Sequence, residues 1–350
     1  MERDVEIDIL KAFAIIGVIL IHITSNSFAL YPEGPAWYNL VILDQVMRFS
    51  VPLFVALSGY TLAARYLRSE ISIKDFYLRR ASKILPYYLA ATAIIYLYLH
   101  LVPPWSHHLK DYPLWQMILL GKTDYHLYFI PMIFQLYLAF PLIIKAFKKW
   151  PIPTIAAAFV VQSLVFVITN LSAKQIISLP FAWGDQQQYL LSLTWMFYFV
   201  LGISLANLSN LPTAKLNLIK ILGVVLAALG LTFTLRESFQ ILSNHQDLIE
   251  ATRFTRYPIL VYATGIIIAS VLFAKNLLGL PSVAIQLLGK VGLISFSIYL
   301  LHTIAIRMVI LNLDIATRRN FTIFAGTTII ASFILAWIFE EILKVARRLR

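Results

Sequence analysis

Asp8-Ile-Leu-Lys11-Ala-Phe-Ala-Ile-Ile-Gly17-Val-Ile-Leu-Ile-His22 decides how the rest of this chain is read. The run is apolar and, with its flanks, long enough to enter a bilayer. Yet Lys11 stands at one end and His22 lies deep inside. Eleven helical residues turn through about 1100°, so these two side chains fall within roughly 20° of one face, about 16 Å apart along the axis. Asp8 lies about 40° from the His22 face by the same pitch. One polar stripe thus joins a membrane surface to a titratable group in hydrocarbon, where ionisable residues are costly and mark functional sites by default. A histidine titrates near neutrality, so His22 suits a general base acting on a hydroxyl. The bland alternative is an imidazole hydrogen-bonded to a neighbouring helix, with Lys11 snorkelling.

Composition points the same way. Of 350 residues 60% are hydrophobic and 13% charged, about half the charged share of a soluble domain; mean hydropathy is +0.78. The expected fold is all-α: a polytopic bundle of about ten transmembrane helices, forming one helical membrane domain over 1–350. The expected spans lie near 7–29, 37–63, 82–102, 127–146, 152–170, 188–208, 217–235, 257–275, 284–311 and 321–343. A net charge of +12 does not imply nucleic acid, because the cations sit in connections between apolar spans. One alternate set of connections carries nineteen lysines and arginines and the other nine, which places both termini in the cytoplasm. Trp37, Tyr38, Trp105, Trp115 and Trp183 fall near the expected interfaces and suit an aromatic belt. The start carries Glu2, Asp4, Glu6 and Asp8 without a small-x-small cleavage site, so it reads as a retained helix rather than a signal peptide. With no cysteine, disulfides, thiolate metal sites and a cysteine nucleophile are excluded.

Four further groups carry chemistry-bearing residues. Asp44 and Arg48 form an i,i+4 pair inside the second span. If that span enters from outside near residue 38, Asp44 reaches the depth of His22 and can orient its imidazole. Otherwise the two are a self-neutralising pair that makes buried charge tolerable. In Val51-Pro52-Leu-Phe-Val-Ala-Leu-Ser58-Gly59-Tyr60, Pro52 removes a backbone hydrogen bond, and Ser58 and Gly59 either permit close helix packing or offer backbone to a ligand. Arg79-Arg80-Ala-Ser-Lys83-Ile-Leu-Pro86 gathers cations suited to phosphate, or to ordinary anchoring on anionic lipid. Ser295, Tyr299 and His302 recur on one helical face and line either a cavity or a packing stripe. No Gly-x-Ser-x-Gly elbow or His-Glu-x-x-His motif is present. His107, His108 and Asp111 lack a clear fourth ligand, so no metal is expected.

Taken together these stretches resemble the acyltransferase-3 family of integral membrane acyltransferases, across nearly the whole chain. Lys11 and His22 meet its basic-residue–ten–His pattern, with lysine where arginine is more usual. Val51-Pro-Leu-Phe with Leu57-Ser-Gly-Tyr60 is similar to its second-helix signature, and Phe76-Tyr-Leu-Arg79-Arg80-Ala-Ser-Lys83-Ile-Leu-Pro86 to its basic segment before a proline. His126-Leu-Tyr128-Phe129 resembles a His-Leu-Trp-Phe entry to a later helix, and Tyr299-Leu-Leu-His302 a late Tyr-Leu-x-His element. The resemblance implies acyl transfer, acetyl being preferred, from cytoplasmic acyl-coenzyme A to a hydroxyl of a cell-envelope glycan at a bacterial plasma membrane. It implies that Lys11, Arg79, Arg80 and Lys83 hold the donor phosphates, with Ser58, Gly59 and Tyr60 beside the donor. His22 is then the base, Asp44 its orienting group and Arg48 an oxyanion donor, while Tyr299, His302 and His126 line the acceptor side. The competing reading from composition is a polysaccharide or lipid-linked saccharide transporter, though no inverted repeat with paired broken helices is visible. A membrane scaffold or sensor would leave the Lys11/His22 stripe idle.

Overall fold

The computed structural model describes residues 4–102, 112–173, 176–177, 187–208, 211–245 and 247–348; among these every regular element is helical. The helices, in chain order, begin with α1 (Val5–Ser27), α2 (Pro35–Met47), α3 (Ser50–Tyr66), α4 (Ile73–Leu101) and α5 (Leu114–Leu119). Then come α6 (Phe129–Lys149), α7 (Pro151–Ala173), α8 (Gln187–Leu190), α9 (Met196–Ala206), α10 (Thr213–His245) and α11 (Leu248–Ala251). The series ends with α12 (Tyr257–Phe273), α13 (Ser282–Leu293), α14 (Ser295–Asn312), α15 (Ile315–Arg318) and α16 (Phe321–Arg348). Among the described residues nine helical stretches are long and apolar enough to cross a membrane. Large apolar side chains such as Leu142, Ile152 and Leu218 stand well exposed on them, as hydrocarbon-facing surfaces require. The chain is a multi-pass membrane protein.

Two expected spans differ from the reading of the sequence. Residues 188–208 form α8, a 3₁₀ turn over Ser192–Trp195 and α9, and the apolar stretch Ser192–Ala206 falls short of a crossing length. Residues 284–311 are split at Ile294 into α13 and α14. Hydropathy alone runs through both interruptions, because neither the Ser192–Trp195 turn nor Ile294 brings in a charged residue.

The chain divides into two compact units: Met1–Phe54 with Leu211–Arg350, and Val55–Asn210. In the first, α1 lies between neighbours on two opposite faces. Asp8 and His22 share one face, against which α13 and α14 pack: Gly292 of α13 abuts the Asp8 backbone, and His302 of α14 meets the His22 ring. Gly17 and Thr24, separated by seven residues and hence within about 20° of each other, mark the other face. There Gly17 admits Ser50, and Thr24 reaches Asp44. In the second unit α3 and α9 approach at backbone distance: Gly59 abuts the Phe199 carbonyl, and Gly202 abuts that of Ala56. Only residues without a side chain permit that spacing.

The break between α2 and α3 has a local cause. Pro52 lacks the N–H that would bond the Arg48 carbonyl, so the helical ladder stops at Arg48–Phe49. The carbonyls freed by the break find other donors: Tyr262 Oη donates to Val46 O (2.7 Å) and Ser50 Oγ to Met47 O (2.7 Å). Leu53 N then bonds Phe49 O at 2.9 Å, restarting the helix.

Candidate active site

His22 is half-buried on α1, four residues before Asn26, whose amide donates to the His22 carbonyl (2.8 Å). Its ring centre lies 5.1 Å from that of His302, with the planes tilted by 31°. His302 is fully buried, and its Nδ1 lies 2.7 Å from the Tyr299 carbonyl oxygen. The Tyr299 ring, also buried, stands 6.1 Å from that of His302. The i,i+3 spacing of Tyr299 and His302 on α14 therefore supplies a second imidazole to the face of α1 that carries His22. Farther along that face Lys11 Nζ donates to Asp8 Oδ1 at 3.1 Å. The helix is continuous from Asp8 through His22, so the stripe expected from the sequence exists as one surface.

Asp44 and Arg48 occupy the opposite face. Arg48 donates from Nε to Asp44 Oδ2 (2.8 Å) and from Nη2 to Oδ1 (2.9 Å), a bidentate fork. Thr24 Oγ1 adds a bond to Oδ1 (3.2 Å) and Gln45 Nε2 one to Oδ2 (2.8 Å). Four donors thus surround a carboxylate that has about four lone-pair sites. Thr24 follows His22 by two residues, which is about 3 Å along the axis but about 200° round the helix. Asp44 reaches the depth expected of it, on the side of α1 turned away from His22. This geometry describes the self-neutralising pair.

The pair is part of a larger network that the sequence did not single out. Leu40, Val41, Asp44 and Gln45 form the buried face of α2. Gln45, while donating to Asp44, accepts from Arg256 Nη2. Arg256 also donates from Nη1 to Glu237 Oε2 (3.2 Å) and from Nε to the Arg253 carbonyl (3.2 Å). Burial lowers Arg256 to about 10, helped by the nearby Arg48 and Arg253 and opposed by Glu237, so it stays charged at neutral pH. The Phe254 ring lies 4.5 Å from the Arg48 guanidinium carbon. A buried glutamine one residue after a buried aspartate was the available signal: on a membrane helix both need partners.

The remaining sequence-derived residues belong to the second unit. Arg79 and Arg80 are half-buried on α4; Arg79 Nη2 donates to Tyr66 Oη (3.3 Å), and the Arg80 guanidinium carbon lies 5.9 Å from the Tyr137 ring. The Nε atoms of both arginines are buried without a hydrogen-bond partner among the described residues. Lys83 is exposed on the same helix. Ser58 Oγ and Tyr137 Oη are 2.7 Å apart, which makes Tyr137 of α6 an addition to the Ser58 and Arg80 patch. Tyr60, next along α3, is half-buried, and Gly59 faces the α9 backbone. His126 is buried in the turn before α6, its Nδ1 3.7 Å from Asp124 Oδ2. That turn is closed at Gly121, whose positive φ of 68° brings it against the Leu127 carbonyl. Asp124 is a second residue the sequence left unmarked. No group of three or more metal-ligating side chains occurs among the described residues. His107, His108 and Asp111, like Trp105 and Trp183, lie outside them.

No curated protein and no solved structure matches this chain. The sequence model of the acyltransferase-3 family, described as an acyltransferase domain, matches residues 4–341, from the residue before α1 to the last turns of α16. The matched length takes in the imidazole pair, the arginines of α4 and both glycine-packed helices, and the chain belongs to the acyltransferase-3 family of membrane acyltransferases.

Proposed function

We propose that this acyltransferase moves an acyl group, acetyl in the first instance, from cytoplasmic acyl-coenzyme A to a hydroxyl of a cell-envelope glycan at a bacterial plasma membrane. The observation that carries the reading is the half-buried imidazole of His22 on a membrane-length helix, beside the fully buried imidazole of His302. His22 takes the proton of the acceptor hydroxyl as that oxygen bonds the thioester carbonyl carbon. The carbon–sulfur bond then breaks, and the proton passes from His22 to the departing thiolate. Within the second unit, Arg79 and Arg80 are assigned to the donor phosphates. Their buried, unpartnered Nε atoms suit an acceptor that guanidinium binds in a planar fork. Lys83 adds charge on the same helix, and the Ser58–Tyr137 hydroxyl pair extends the polar patch. Asp44 and Arg48 neutralise one another away from His22 and take no part in the chemical step. Both termini lie on the donor side in this reading.

Purified protein with acetyl-labelled coenzyme A and a cell-envelope glycan fraction tests it. Alkali-labile label is expected in the glycan, with one thiol released per acetyl transferred. Glycan movement across a reconstituted bilayer without loss of donor would overturn the reading.

A further inference from the structure

We propose that the Tyr66 hydroxyl and the Arg79 guanidinium act as one phosphate-binding pair for the acyl donor, Tyr66 giving its proton to the phosphate that Arg79 holds; this rests on the assignment of Arg79 above. Arg79 Nη2 donates to Tyr66 Oη at 3.3 Å. A guanidinium has donors and no lone pair, so the phenol oxygen is the acceptor in that bond. The phenol proton is therefore directed elsewhere, and among the described residues it meets no acceptor. Tyr66 is only 3% exposed, and a polar hydrogen so placed calls for a partner. Arg79 is half-buried, its Nε is buried without a partner, and among the described residues no carboxylate pairs with it or with Arg80. Every polar group left over in the pair is a donor, next to an uncompensated positive charge. The ligand that satisfies both is an anion with several acceptor oxygens on one centre, which is phosphate chemistry.

The fold of the second unit holds this pair ready. Tyr66 closes α3 and Arg79 stands in the second turn of α4, so the short connection between the two helices brings them together. The Tyr66 ring packs against two fully buried rings, Phe76 at 5.7 Å and 78° and Phe140 at 6.0 Å and 60°. A ring fixed on two sides fixes its hydroxyl, so little freedom is lost when a phosphate arrives. Arg80 follows Arg79 by one residue and points about 100° away round the helix. Its guanidinium carbon lies 6.0 Å from the Phe76 ring centre and 5.9 Å from that of Tyr137. Tyr66 therefore serves Arg79 alone, and Arg80 addresses a different phosphate group. Coenzyme A carries more than one, a diphosphate and a sugar phosphate.

The test uses Tyr66→Phe, which keeps both ring contacts and removes only the hydroxyl. Wild type and variant are reconstituted in phosphatidylcholine vesicles, and label transfer to the envelope glycan fraction is measured from acetyl-coenzyme A and from acetyl-pantetheine, which has no phosphate. The expected result is a KM for acetyl-coenzyme A raised about 10-fold, the size of a hydrogen bond to a charged group, with kcat within about 2-fold of wild type. The preference for acetyl-coenzyme A over acetyl-pantetheine then narrows by about the same 10-fold. Tyr66→Phe added to Arg79→Ala should raise KM less than about 2-fold further, whereas added to Arg80→Ala its effect should multiply. Equal changes for the two donors, a change confined to kcat, or multiplication of the Tyr66 and Arg79 effects overturns the pair. An anionic lipid headgroup offers the same phosphate chemistry, so the assays are repeated with phosphatidylglycerol in the vesicles. An effect of Tyr66→Phe seen only with that lipid gives the pair to the membrane and overturns its role towards the donor. Wild type that transfers nothing from acetyl-coenzyme A removes the functional reading together with the pair; normal wild-type transfer with unaltered Tyr66→Phe kinetics removes the pair alone.

Discussion

Replacing Asp44 by asparagine should destabilise the protein, and for a reason that has little to do with the imidazoles. The carboxylate is completely buried and Arg48 nearly so, with side-chain exposures of 0% and 8%. Asparagine keeps the size of the side chain but leaves a buried guanidinium without its counter-charge. Removing one member of such a pair costs about 3–5 kcal/mol, because the other charge stays desolvated. Arg48→Met should cost a similar amount, leaving Asp44 with only the Thr24 and Gln45 donors. The double variant removes both charges, and its loss should fall about 2 kcal/mol or more short of the sum of the single losses. Unfolding by SDS in mixed micelles, followed by tryptophan fluorescence, measures all three, and acetyl transfer per folded molecule is measured alongside. The double variant should retain transfer. If Asp44→Asn leaves stability within about 1 kcal/mol of wild type yet abolishes transfer, the carboxylate serves the chemistry, and the separation of Asp44 from His22 on two faces of α1 is wrong.

Two more expectations concern packing and a cap. Gly202→Ala puts a Cβ 2.7 Å from the Ala56 carbonyl carbon and closer still to its oxygen, so α3 and α9 must separate at a cost of about 1–3 kcal/mol. Gly326→Ala on α16 meets nothing within 4 Å and should instead gain up to about 1 kcal/mol from helix propensity; equal effects at both positions would contradict the close approach. Asp314 caps α15 by accepting from Thr317 N (2.6 Å), and that bond holds its carboxyl below the usual carboxylate range. A depressed folded value means the contribution is present above the unfolded pKa and is lost as pH falls through the folded one. Amide exchange at Thr317 should therefore accelerate below about pH 4 in wild type and show no such step in Asp314→Asn.

Much of the first unit's face was legible because helical rotation is fixed arithmetic. Lys11 and His22 needed only an unbroken helix to share a surface, and α1 is unbroken from Val5 to Ser27. Tyr299 and His302 followed from the same pitch on α14, but which helix they would meet did not. The depth of Asp44 was also readable, whereas its azimuth was not: that depends on Thr24 rather than His22 being the residue of α1 that faces α2. Pro52 announced a missing backbone hydrogen bond, though the rescue of the freed carbonyls by Tyr262 and Ser50 is long-range in one case and local in the other. Arg256 lay 211 residues from Gln45, and nothing in either local sequence joins them. The shortened apolar stretch at 192–206 escaped notice because hydropathy averages over a 3₁₀ turn of Ser192, Leu193, Thr194 and Trp195 that is no more polar than a membrane helix tolerates.

In the proposed reaction the α1 imidazole moves the proton. The decisive assay is acetyl transfer from labelled acetyl-coenzyme A to envelope glycan by purified His22→Ala, normalised to folded protein and compared with wild type. Transfer should fall by at least about 100-fold with unfolding in SDS unchanged. Transfer at the wild-type rate in that variant would contradict it.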